Sequence, residues 1–155
     1  MVQDIANFQF HLQCPTVNGV IFPDGKIQLF DITVNYCTPI NYKISKDTET
    51  SINSLNEQGE LNWNSCTALV SITNENNSFK VTAGEGNWGD DGFVSVIDLT
   101  TNRILWIAFF TCSTPFYQVK IVDGQVYAKS TLDYIWKFDV QNPVNFSVDH
   151  LHSSL

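Results

Sequence analysis

Charge is scarce in this chain. Asp, Glu, Lys and Arg make up only 15% of its 155 residues, against about a quarter in a typical soluble domain. The polar surface must therefore come from Asn, Ser, Thr and Gln, which suit turns and strand faces better than helices. Basic residues are the scarcest: 8 Lys and Arg stand against 16 Asp and Glu, giving a formal charge of -8 and a pI near 4.5. Phosphate backbones and anionic lipid surfaces are repelled by that balance, so nucleic acid and membrane surfaces are not expected as partners. A basic protein or a cation would be attracted. Long apolar runs are missing as well. The longest, Ile104 to Phe110, is far short of the roughly 20 residues that cross a bilayer and reads as a buried strand. Asp4 and polar neighbours occupy the place of a signal peptide's basic start and apolar stretch. A cytoplasmic location is expected, with secretion the alternative if a leader has been removed.

Catalytic signatures are absent too. The chain has no P-loop, no GxSxG elbow, no HExxH and no GxGxxG after a strand. Of its three His residues, His11 falls in an expected terminal strand, while His150 and His152 fall in an expected tail. A nucleophile at Cys112 would need a His base that the spacing does not supply. Cys14, Cys37, Cys66 and Cys112 are widely separated, without the CxxC or His pairing of a zinc site. Buried free thiols are expected, two disulfides being the alternative.

Aromatic residues, by contrast, are plentiful: eleven Phe, five Tyr and four Trp give bulky material for a β core. Period-2 alternation runs through most of the chain and predicts strands. Phe30, Ile32, Val34 and Tyr36 share one face while Asp31, Thr33 and Asn35 take the other, as a half-buried antiparallel strand requires. Ile40, Tyr42 and Ile44 repeat the pattern. Further strands are expected at 8–12, 69–73, 79–82, 93–99, 103–110, 117–122, 125–130 and 134–140. Asp24-Gly25, Asp91-Gly92 and Asp123-Gly124 mark hairpin turns. The stretch from Lys46 to Asn64, rich in Ser, Asn, Thr and Glu, reads as a long surface loop with one helical turn at most. The whole is expected to be all-β: a single-domain antiparallel β-sandwich or barrel of about ten strands over residues 1–149, followed by a flexible tail over 150–155.

An internal similarity relates Asp24–Thr33 to Asp91–Thr100, with Cys37 and Cys112 and a following Thr-Pro placed after each copy, suggesting two related halves. The stretch from Asp91 to Trp106 also resembles a blade of the quinoprotein-like β-propellers, whose blades run as a strand, an Asp, a Thr-Gly turn and a strand ending in Trp. A fainter echo lies in Asp123–Tyr127 and the following Tyr134 to Asp139. Asn102 stands where that family has Gly. The resemblance implies propeller-like blades as an alternative architecture, but 155 residues supply too few blades to close one chain. No quinone or dehydrogenase activity is implied.

The segment most suited to recognition is Gly84–Gly92, which gathers four glycines, Glu85, Asn87, Trp88, Asp90 and Asp91. Carboxylates on a flexible loop suit calcium, although the spacing is not that of an EF-hand; no other cofactor is expected. An exposed Trp beside carboxylates would hold a sugar ring or anchor a protein partner, and Trp63, between Asn62 and Asn64, offers a second. The leading expectation is a non-catalytic binding protein of inhibitor or immunity type. It would engage a basic protein partner through its acidic surface and Trp88, Asp90, Asp91, Glu85, Asn87 and Trp63. A carbohydrate-binding, lectin-like module is the alternative. A hydrolase pairing Glu85 with Asp90 or Asp91 ranks third, because a Gly-rich loop fixes a carboxylate separation poorly.

Overall fold

A computed structural model describes residues 3–150. The chain begins with helix α1 (Gln3–His11) and strands β1 (Gln13–Pro15), β2 (Gly19–Ile21), β3 (Lys26–Asn35) and β4 (Asn41–Ser51). Helix α2 (Ile52–Glu57) leads into β5 (Trp63–Ser65), β6 (Thr67–Thr73), β7 (Phe79–Glu85), β8 (Gly92–Asp98) and β9 (Arg103–Phe110). Strands β10 (Phe116–Val122), β11 (Gln125–Ser130), β12 (Tyr134–Asp139) and β13 (Asn142–His150) complete it. All pairing is antiparallel: a seven-stranded sheet ordered β4-β3-β2-β9-β8-β7-β6, a meander ordered β10-β11-β12-β13, and a two-stranded ribbon of β1 and β5. None closes into a barrel; the two larger sheets form a β-sandwich.

Layering follows from the side chains of β8 and β9. Strand alternation sends Val94, Val96, Trp106, Ala108 and Phe110 to one face of the sheet and Phe93, Ile107 and Phe109 to the other, and all of them are buried. The first face packs on the meander, where Trp106 meets Phe138 at 5.5 Å and Phe110 meets Trp136 at 4.5 Å between ring centroids. The second is covered by α1, α2 and the β1–β5 ribbon, through Ile5, Phe8, Cys14, Ile52 and Leu55. Ser51 caps α2, its Oγ accepting the Ser54 N–H at 3.0 Å. No helix among the described residues is long and apolar enough to cross a membrane.

Several expectations need correction. Residues 8–12 lie in and just after a helix, because Ile5 and Phe8 are spaced to share one helical face; Phe10, on the other side, is 73% exposed. His11 is therefore the last residue of α1. The polar stretch from Lys46 to Asn64 is mostly ordered into the end of β4, α2 and β5. Its hydrophilic composition reflects an edge strand exposed along most of its length. His150 closes β13 opposite Tyr134, while the rest of the expected tail, His152 included, lies outside the described residues. Asp24-Gly25 and Asp123-Gly124 do form turns, with φ of 88° at Gly25, 51° at Asp123 and 74° at Gly124. Asp91-Gly92 instead ends a longer loop, and Gly92 already belongs to β8. The two similar segments also diverge: β3 alone separates Asp24-Gly25 from Cys37, whereas β8 and β9 both lie between Asp91-Gly92 and Cys112. Asn102, in the β8–β9 turn, takes φ 55°, a left-handed conformation that Asn tolerates better than most residues. All four cysteines are free; Cys14 and Cys66 are buried, Cys112 is partly buried and Cys37 is exposed.

Gly92 is a glycine for reasons of space, since a Cβ there would run into the Ser113 hydroxyl and the Thr114 carbonyl, while Gly89 has nothing nearby. Gly92→Ala is expected to cost about 1–3 kcal/mol of unfolding free energy in urea titrations, and Gly89→Ala less than about 0.5 kcal/mol.

Candidate functional site

Residues 86–91 join β7 to β8, and a single side chain from the ribbon pins them. Asn64 of β5, 1% exposed, donates from Nδ2 to Asp91 Oδ2 at 2.9 Å and accepts the Asn87 N–H on Oδ1 at 2.8 Å. Asp91, 2% exposed, also accepts the Trp88 N–H at 3.4 Å, and its own N–H donates to the Trp88 carbonyl at 3.1 Å. The Asp90 carbonyl accepts the Thr114 N–H at 2.8 Å. Gly86 lets these groups close up: a Cβ there would sit 2.7 Å from Asn64 Oδ1 and 2.8 Å from Asp91 Oδ2. The loop is thus held from the ribbon, from within and from the segment after β9. Trp88 nonetheless leaves 70% of its surface in solvent.

Glu85, Asn87, Trp88, Asp90 and Asp91 all lie in or beside this loop. Asn87 and Asp90 are exposed, Glu85 is partly buried, and Asp91 is buried. Trp63 is brought close in the backbone, since it precedes Asn64, but strand alternation turns its 36%-exposed side chain to the opposite face of the ribbon. Asn64 itself escapes sequence reasoning. An Asn between Trp and Ser reads as surface, and only the pairing of Asn64 with Cys14 on a covered ribbon reveals its burial.

Burial pushes the Asp91 carboxyl above its ordinary value, the Asn64 and Trp88 hydrogen bonds pull it back, and the neighbouring Asp90 charge adds to the rise. Cys66 is pushed up to about 12 by burial and by the Asp91 charge, and Cys112 to about 11 by burial and by Asp90. Cys14 rises through burial and the nearby Cys66. Tyr42, whose hydroxyl donates to the Cys112 carbonyl at 3.1 Å, rises mainly through burial and then through Cys112, Tyr36, Tyr134 and Asp90. These thiols and this phenol stay protonated at neutral pH, so none is an activated nucleophile. Asp91 spends its carboxylate on holding the loop. Among the described residues no three His, Cys, Asp or Glu side chains converge so as to hold a metal ion. What the site offers chemically is an indole face and a neighbouring carboxylate on a hydrogen-bonded loop.

The chain matches no protein-family model, and no curated protein matches it.

Asn64→Ala strands the buried Asp91 carboxylate and is expected to cost about 1–3 kcal/mol of stability, with faster amide exchange at Asn87 and Trp88. The raised Asp91 value also carries a sign. Its stabilising contribution is full below the ordinary carboxyl value of 3.8 and fades as pH rises through the folded-state value. The stability of the wild type relative to Asp91→Asn should therefore increase as pH falls from 7 towards 3.8 in urea titrations. A pH-independent difference would contradict this.

Proposed function

We propose that the protein is a non-catalytic binding module whose pinned loop engages a protein partner, with Trp88 as the apolar anchor and Asp90 beside it meeting a basic group. The observation that carries this reading is the contrast at Trp88, whose backbone is hydrogen-bonded on both sides while its ring is 70% exposed. A large apolar ring left in water offers its burial energy to a partner, and Trp is among the residues that most often dominate binding energies. A loop ordered before binding loses little further conformational entropy in the complex. The formal charge of -8 favours encounter with basic proteins. Asn87 adjoins the anchor, Glu85 ends the strand that leads into the loop, Trp63 faces away from the loop on the ribbon, and Asp91 acts through the loop's geometry.

A lectin-like role is the second reading, supported by the exposed Asn87 and Asp90 beside Trp88, an arrangement that also suits a sugar ring. Compartment and calcium dependence belong with it: the protein-binding reading needs neither secretion nor a bound cation.

Affinity capture on immobilised protein separates the two. Release of a basic protein by high salt is the expected outcome, because exposed charge pairing weakens with ionic strength; release of glycoproteins by free sugars or a chelator would replace it with the lectin reading. Trp88→Ala should lose capture while its thermal midpoint stays within a degree or so of wild type, as expected for an exposed side chain. A large fall in the midpoint, or unchanged capture, would overturn the anchor role.

A further inference from the structure

Three segments at one end of the sandwich are joined by hydrogen bonds. The β7–β8 loop meets residues 111–115 where the Thr114 N–H donates to the Asp90 carbonyl at 2.8 Å. Residues 111–115 in turn meet the β3–β4 hairpin, where the Tyr42 hydroxyl donates to the Cys112 carbonyl at 3.1 Å. That hairpin reaches past the rest of its sheet, since β2 begins at Gly19 opposite Leu29 while β3 runs on to Asn35. Tyr36 follows directly, and continued alternation puts it on the face that Val34 shares with Tyr42. Tyr36 and Asp90 both lie close enough to the Tyr42 hydroxyl to raise its pKa. The turn of the hairpin and the Trp88 loop therefore border one surface.

Tyr36 is 65% exposed and belongs to neither hydrophobic core. The other four tyrosines have evident roles. Tyr42 and Tyr134 pack edge to face in the core with ring centroids 5.2 Å apart. Tyr117 and Tyr127 each lie under a lysine, Lys129 and Lys137 respectively, whose Nζ is 5.5 Å from the ring centroid. Lys129 also approaches Asp133 Oδ1 at 3.9 Å, so a ring and a carboxylate share one ammonium supplied by the chain itself. Tyr36, Trp88 and Asp90 repeat those groups without the cation. Residues 36–41, 86–91 and 111–115 contain no Lys, Arg or His. Among the described residues no cation lies over the Tyr36 or Trp88 ring, and Asp90 forms no ion pair.

We infer that Tyr36 is a second aromatic anchor of the Trp88 surface, and that the whole surface binds an arginine-bearing segment of the partner. Guanidinium groups stack on the exposed Tyr36 and Trp88 rings and pair with the Asp90 carboxylate. They supply from outside the cation that Lys129 supplies to Tyr117 and Asp133 within the chain. The inference rests on the protein-binding reading and adds to it a residue and the chemistry of the partner.

The test titrates the full chain with a capped peptide of alternating arginine and glycine, and with its neutral isostere in which citrulline replaces arginine. The Trp88 indole N–H and the Tyr36 ring are followed by NMR. Both resonances should move along one saturation curve with the arginine peptide and stay in place with the citrulline peptide. Tyr36→Ala should weaken binding about two- to fivefold, the worth of an exposed cation–π contact, and Tyr36→Phe should restore it. Tyr36 is exposed, so an unchanged circular-dichroism melting curve verifies that both variants are folded. Movement of either resonance alone, no movement at all, equal binding of the citrulline peptide, or full binding by Tyr36→Ala would each overturn the inference. None of these outcomes touches the loss of partner capture expected of Trp88→Ala, on which the underlying reading is judged separately.

Discussion

The apolar side chains of β8 and β9 point to both faces of the seven-stranded sheet, so neither face can be left in water. Each large side chain buried is worth about 1.5–3 kcal/mol, and Phe93, Ile107 and Phe109 on one side match Val94, Trp106 and Phe110 on the other. The meander covers one face. The other needs a separate lid, made of two short helices and a three-residue ribbon that could not fold alone. The ribbon brings Asn64 to the end of the sheet, where it meets the β7–β8 loop. The order of the β7–β8 loop is therefore a by-product of covering the second core, and it depends on the lid being in place.

Within that frame the loop resolves two opposed demands. Burying the Asp91 carboxyl carries a desolvation cost, visible in its raised pKa, and two hydrogen bonds offset part of it. That cost fixes the backbone of Trp88 while its ring stays in solvent. A hydrogen-bonded backbone beneath a solvent-exposed ring is what a recognition anchor requires, and a ring folded back onto the sheet would serve only stability.

Much of the architecture is legible in the sequence where pattern and packing agree. The run Ile104–Phe110 is too apolar for a one-sided strand, and β9 is indeed buried on both faces. The alternation over Gln125–Ser130 marks β11 to the residue, because one face meets the core and the other meets water. Reading fails where tertiary context decides. Phe8, Phe10 and Leu12 alternate like a strand, yet Ile5 and Phe8 define a helical face. The polar residues of β4 conceal a strand that is ordered by pairing with β3. Trp88 and its neighbours stand out by composition, but the division of labour between a buried Asp91 and an exposed Asp90 follows from Asn64, a residue distant in sequence.

Native-state hydrogen exchange at the Asn87, Trp88 and Asp91 amides tests the central claim most directly, because Asn87 donates to Asn64 of the ribbon while Trp88 and Asp91 donate to each other within the loop. Protection well above that of an unstructured chain, lost on Asn64→Ala, is the expected result. Exchange at unstructured rates in the wild type would show a mobile loop and contradict the account of Trp88 as a preorganised anchor.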